Sequence, residues 1–84
     1  MTGCYVYIIY SQKLDKYYVG HTIDVTKRVE EHNNGISTYT AKANDWILKY
    51  LEHYFDRKTA MSREREIKKK KSRVYVERLI ELSE

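Results

Sequence analysis

The segment Cys4-Tyr5-Val6-Tyr7-Ile8-Ile9-Tyr10 constrains the fold more than any other, because it has no polar face. A short run rich in Tyr, Ile and Val favours an extended strand over a helix. Ser11, Gln12 and Lys13 end the run well short of a membrane span, and no charged leader precedes it. Neither a spanning segment nor a signal peptide is therefore expected. A strand that is apolar on both faces needs cover on both, which predicts helices on either side of its sheet. Residues 11–16 read as a turn, and Tyr17-Tyr18-Val19 resumes the extended pattern up to Gly20. The two segments form an antiparallel hairpin with a longer-than-minimal loop.

The remaining elements follow from local signals. Asp24 can accept from the free amides of a first helical turn, and Asn33-Asn34-Gly35 is a stop, so a helix is expected between them. Within it Val25 and Val29 face the core, while Arg28 and His32 form an i,i+4 pair on an adjoining face. Residues 37–45 are polar and punctuated, a loop with a short extended piece near Tyr39. Residues 46–55 read as a third strand, with Trp46, Leu48 and Tyr50 on one face and Ile47, Leu51 and Phe55 on the other. Asp56 caps a helix through Ala60, Glu64 and Ile67, whose closing lysines suit a helix C-terminus. Ser72 caps a last helix buried along Val76, Leu79 and Ile80. The expectation is an α+β domain spanning residues 1–84, ordered β-β-α-β-α-α around a three-stranded, mainly antiparallel sheet. Eighty-four residues support one core and not two.

Charge and tyrosine content point toward function. Residues 57–73 carry nine Lys or Arg against Glu64 and Glu66, although the whole chain is only +4. Such a stripe is either a footprint for a polyanion or a solvated helix face. Tyr occurs nine times against one Phe, so some of these rings serve through their hydroxyls. With Tyr10 set opposite Tyr17, Ile9 faces Tyr18 and Tyr7 faces Gly20. Tyr7 and Tyr18 then share one face as diagonal neighbours, roughly 5.5–8 Å apart at their β-carbons. Gly20 leaves space beside the Tyr7 ring. Cys4, the only cysteine, has no partner for a disulfide or a thiolate zinc site, which fits a cytoplasmic protein. Two phenols, an arginine, a histidine and a carboxylate on a basic surface are suitable parts for phosphodiester hydrolysis.

These residues resemble the GIY-YIG nuclease superfamily. Tyr5-Val6-Tyr7 matches its first motif, with Tyr5 where glycine is usual, and Tyr18-Val19-Gly20 matches the second. The run from His21 to His32 is similar to the helix bearing the family's arginine and a common histidine. Ala60-Met61-Ser62-Arg63-Glu64, followed by Ile67-Lys68, matches the segment with its metal-binding glutamate. The likeness covers residues 5–82. It is closest to small single-domain members related to the N-terminal nuclease domain of the bacterial excision-repair endonuclease.

The resemblance implies a metal-dependent endonuclease acting on DNA, in repair or processing, with DNA favoured over RNA and a protein partner able to supply selectivity. Tyr7 and Tyr18 would be the paired tyrosines, one of them the general base. Arg28 would bind the scissile phosphate and His32 would orient a tyrosine hydroxyl or assist proton transfer. Glu64 would hold one Mg²⁺, with Mn²⁺ a plausible substitute. Lys58, Arg63, Arg65, Lys68, Lys69, Lys70, Lys71 and Arg73 would grip the phosphate backbone. Many members carry an asparagine near the domain end, but here the matching region reads Lys71-Ser72-Arg73-Val74-Tyr75. Two other readings remain open: a non-catalytic nucleic-acid-binding module, and a protein-interaction subunit.

Overall fold

The computed structural model describes residues 3–83. Strands β1 (Cys4–Ser11) and β2 (Lys16–Thr22) precede helix α1 (Val25–Asn33). A short 3-10 turn (Thr40–Lys42), strand β3 (Trp46–Tyr54) and helices α2 (Arg57–Lys70) and α3 (Arg73–Leu82) follow. The element order is the expected one, apart from the 3-10 turn, which replaces the extended piece anticipated near Tyr39. The sheet is antiparallel throughout, in the order β2-β1-β3. β1 takes the centre because its apolar side chains can be buried on both faces, while the more polar β2 and β3 take the edges.

Each helix begins where a side chain satisfies its orphan amides. Asp24, Asp56 and Ser72 accept from the backbone N–H of Lys27, Thr59 and Tyr75 respectively. Lys71, at φ 49°, ends α2 in the left-handed region and turns the chain directly into α3.

Two apolar layers flank the sheet. Cys4, Val6, Ile8 and Val19 pack with Ala60 and Ile67 of α2 and Val76 of α3. On the opposite face Tyr7 and Ile9 pack with Ala43 and Trp46, joined by Tyr18 and Val29. Helices thus cover both sides of β1, as its two apolar faces require.

The alternation along β3 differs from the sequence expectation. Ile8 pairs with Tyr50 but Ile9 pairs with Leu48, so Lys49 is an extra, bulged residue. Beyond the bulge the pattern inverts. Tyr50 leaves the Trp46 face and joins Ile8, while Leu51 comes opposite Tyr7. Phe55 lies past the strand end and is 88% exposed, so it is not a core residue.

Candidate active site

The β1–β2 hairpin places the central residues. Its register pairs Tyr10 with Tyr17, Ile9 with Tyr18 and Tyr7 with Gly20. Tyr7 and Tyr18 therefore share the face covered by α1, with ring centres 6.5 Å apart. The Tyr7 ring fills the space that Gly20 leaves: a Cβ there would stand 2.5 Å from the Tyr7 oxygen and 2.7 Å from Cζ. Tyr17 faces away, toward Tyr10 and the guanidinium of Arg73. Tyr5, on the Tyr7 face, packs against His53.

α1 carries His32 under the two tyrosines. His32 is wholly buried. Its Nε2 lies 2.7 Å from the Tyr7 hydroxyl and its Nδ1 lies 2.6 Å from Thr40 Oγ1. The Thr40 hydroxyl in turn faces the Ser37 carbonyl at 3.5 Å. This direction of donation assigns the tautomer: Nδ1–H donates to Thr40, and Nε2 accepts from Tyr7. Burial, reinforced by the nearby Arg28 guanidinium, pushes the His32 pKa down to about 4, so the ring is neutral at physiological pH. Burial, together with the neighbouring Tyr18, raises the Tyr7 phenol to about 12, although Arg28 works in the other direction.

Arg28 sits one helical turn before His32. Its Nη1 donates to Glu31 Oε1 at 2.9 Å, and its charge is felt by both Tyr7 and His32. Glu64 approaches from α2, which packs on the Val6 face of the sheet, and meets His21 of β2 there. Its Oε1 accepts from His21 Nδ1 at 2.5 Å, and its Oε2 is 2.6 Å from Lys68 Nζ. Burial opposes ionisation of this carboxyl. The hydrogen bonds from Lys68 and His21 outweigh it and hold the pKa below the ordinary value. Lys68 also lies 5.3 Å from the centre of the Tyr18 ring. One depression is lined by His21 and Arg28, and the next by His21, Glu64 and Lys68. Arg28 and Glu64 thus line adjoining depressions that share His21. Tyr7 and His32 lie buried on the opposite face of the sheet from His21, close enough for Tyr7 to feel the charges of both Arg28 and Glu64.

The basic stripe divides in two. At 100° per residue, Lys68 and Arg65 lie on the side of α2 that carries Glu64, Lys58 and Lys69 lie on its outer face away from the core, and Arg63 and Lys70 lie on the opposite flank. Arg63 donates to both oxygens of Glu52, at 3.0 and 3.1 Å, and also reaches Glu66 and Tyr75. Its charge is spent inside the fold, which corrects the expectation that it grips phosphate. Lys70 lies over the Tyr75 ring. Arg73 is exposed but clasps Asp15 and Glu77. Lys58, Arg65, Lys69 and Lys71 are exposed.

Against known proteins, the model of the GIY-YIG catalytic domain matches residues 3–77. The chain belongs to the GIY-YIG family. Its relatives there include a UPF0213 protein of Bacillus cereus, 35% identical over 74% of this chain and 69% of that protein. Another, from Haloquadratum walsbyi, is 42% identical over 76% and 72% of the two chains. The solution NMR structure of a UPF0213 protein from Bacillus halodurans superposes with a TM-score of 0.59 at 30% identity, over 96% of this chain and 85% of that one. The fold is accordingly that of a small GIY-YIG domain.

Three residues of this GIY-YIG domain escape sequence reasoning. Thr40 orients His32 from eight residues away, and Trp46 Nε1 donates to the Thr40 carbonyl at 2.9 Å. Tyr39, half exposed, stacks beside Tyr18 with ring centres 5.6 Å apart. His21 is bound to Glu64 across a separation of 43 residues. Only His21 had a signal, its position directly after the second motif.

Proposed function

We propose that this GIY-YIG protein is a divalent-metal-dependent endonuclease that hydrolyses phosphodiester bonds of nucleic acid, with DNA favoured over RNA and repair or processing as its setting. The observation that carries this reading is the buried Tyr7–His32 bond, with Arg28 beside it and an ionised Glu64 whose charge Tyr7 also feels.

The donor set suits Mg²⁺ or Mn²⁺. Among the described residues no group of three or more His, Cys, Asp or Glu could cage an ion alone. A single carboxylate completed by waters and substrate oxygens is an ordinary arrangement for Mg²⁺. Glu64 is the residue that would hold the cation, which when bound supplies positive charge beside the departing oxygen.

The protein's own groups account for the rest. Arg28 receives the scissile phosphate and neutralises charge that builds on it. Tyr7 is the base. Its oxygen takes a proton from the attacking water as its own proton passes to His32 Nε2, along a hydrogen bond already in place. Phosphate pairing with Arg28 offsets one of the two influences that keep His32 weakly basic. Tyr18, half-buried at the mouth of the site, contacts the substrate. Lys68 and Arg65 beside Glu64, with Lys58 and Lys69 on the outer face of α2, hold the backbone without reading sequence.

Cleavage of supercoiled plasmid and of a branched duplex with Mg²⁺ or Mn²⁺ tests this reading. Tyr7→Phe and Glu64→Ala should each abolish cutting while nucleic-acid binding persists. Binding without metal-stimulated cutting by the wild type, on every substrate, would replace the nuclease reading with a purely binding role.

A further inference from the structure

The glutamate assigned to the cation is already engaged through both oxygens, by His21 at 2.5 Å and by Lys68 at 2.6 Å. The two partners differ in how they are held. His21 is a strand residue with 22% of its side chain exposed, whereas the Lys68 side chain is 47% exposed and ends a flexible stem. Lys68 also faces a second environment. Its ammonium lies 5.3 Å from the centre of the Tyr18 ring, and its side chain lines an open groove of about 440 Å³ with Tyr17, Tyr18, Val19 and Tyr39. The groove continues past Lys16, Lys71 and Arg73 along the outer edge of β2. Lys68 thus stands between a carboxylate on one side and a basic, tyrosine-lined channel on the other.

A dication approaching Glu64 meets an ammonium bonded to the same carboxylate. The pair is close to neutral, so attraction is small and like-charge repulsion acts over a few ångströms. A strand in the groove changes this balance. Its phosphates offer Lys68 an alternative anionic partner, and the move needs only side-chain rotation, because the helix already places Lys68 one turn from Glu64. Once Lys68 has turned away, the carboxylate oxygen it held is free.

We propose that Lys68 is a nucleic-acid-operated gate on the cation site: it closes Glu64 in the free protein and releases it when a phosphate of the bound strand takes the ammonium. Cation and nucleic acid then bind cooperatively, each tightening the other by the same factor. This inference rests on Glu64 being the cation ligand, as proposed above.

The experiment is Mn²⁺ binding followed by EPR loss of the free-ion signal, with a short phosphorothioate oligonucleotide present or absent. The proteins are wild type, Lys68→Gln, Glu64→Gln and the double variant. Lys68 is half exposed, so its replacement leaves the core intact. Without oligonucleotide, Lys68→Gln should bind Mn²⁺ at least about tenfold more tightly than wild type, given the repulsion removed at such short range. Oligonucleotide should tighten Mn²⁺ binding to wild type by a similar factor, and to Lys68→Gln by much less. Equal Mn²⁺ affinity of wild type and Lys68→Gln in the absence of oligonucleotide, both lost on Glu64→Gln, would overturn the gate while leaving the cation site standing. Mn²⁺ binding that never depends on Glu64, with or without Lys68, would overturn the cation assignment and the gate together.

Discussion

Lowering the pH through the ordinary range of histidine should destabilise this domain at His32. The ring is wholly buried, bonded on both nitrogens to hydroxyl groups, and close to the Arg28 guanidinium. Protonation inside the fold is therefore disfavoured, and the pKa falls from 6.5 to about 4. The unfolded chain protonates near 6.5, so the folded state binds fewer protons between these two values. Stability from the neutral ring is complete above 6.5, declines as the pH falls toward 4, and changes no further below that. At about 1.36 kcal/mol per pKa unit, the drop amounts to roughly 3 kcal/mol. For a domain of this size that is a large share of a total on the order of 5–15 kcal/mol. Urea unfolding of wild type and His32→Gln, at steps from about pH 7.5 to pH 4, isolates the effect. Glu52 and Glu64, whose pKa values are lowered, lose their contributions in more acid solution, but they do so in both proteins and cancel in the difference. The stability advantage of wild type over the variant should shrink by roughly 3 kcal/mol across this range. An advantage that stays constant, or an NMR titration placing His32 near 6.5, would refute the buried neutral ring and the proton path built on it.

Gly20→Ala should break the Tyr7–His32 bond, because the new Cβ would overlap the Tyr7 oxygen at 2.5 Å. A loss of about 1–3 kcal/mol in chemical denaturation and loss of nuclease activity are the expected outcomes. Arg63→Ala should destabilise the fold by about 1–3 kcal/mol, since Glu52 would lose its cation, yet leave the salt dependence of oligonucleotide binding unchanged. Lys58→Ala and Lys69→Ala should do the reverse. Fluorescence anisotropy at several salt concentrations should show each lowering the log–log slope by about 0.7–0.9 for every phosphate no longer neutralised, with little change in stability.

The parts that were legible in the sequence rest on interactions between near neighbours. Asp24, Asp56 and Ser72 cap their helices through amides three residues away, so the signal and its partner lie in the same short window. The hairpin register follows from a short connection that leaves few pairings able to keep both strands' apolar residues buried. That register puts Tyr7 beside Gly20 and Tyr18 on the same face. The two apolar faces of β1 likewise demand a central strand with helices on both sides.

Tertiary packing alone decided the remainder. The bulge at Lys49 inverts half of β3, and nothing local marks Lys49 as the extra residue. Thr40 reaches His32 only because the 3-10 turn is anchored by Trp46. Arg63 looks like its basic neighbours along the chain, but helix rotation turns it toward Glu52 on β3 and away from the site. His21 meets Glu64 because α2 packs over β2, which the order of residues does not disclose, whereas Lys68 lies one helical turn from Glu64 on the same helix. Sequence by itself determined which elements form and which tyrosines share a face, since those depend on short-range geometry. Which charges are free to meet a phosphate, and which are already paired, depends on contacts between distant segments that exist only once the sheet and helices have packed.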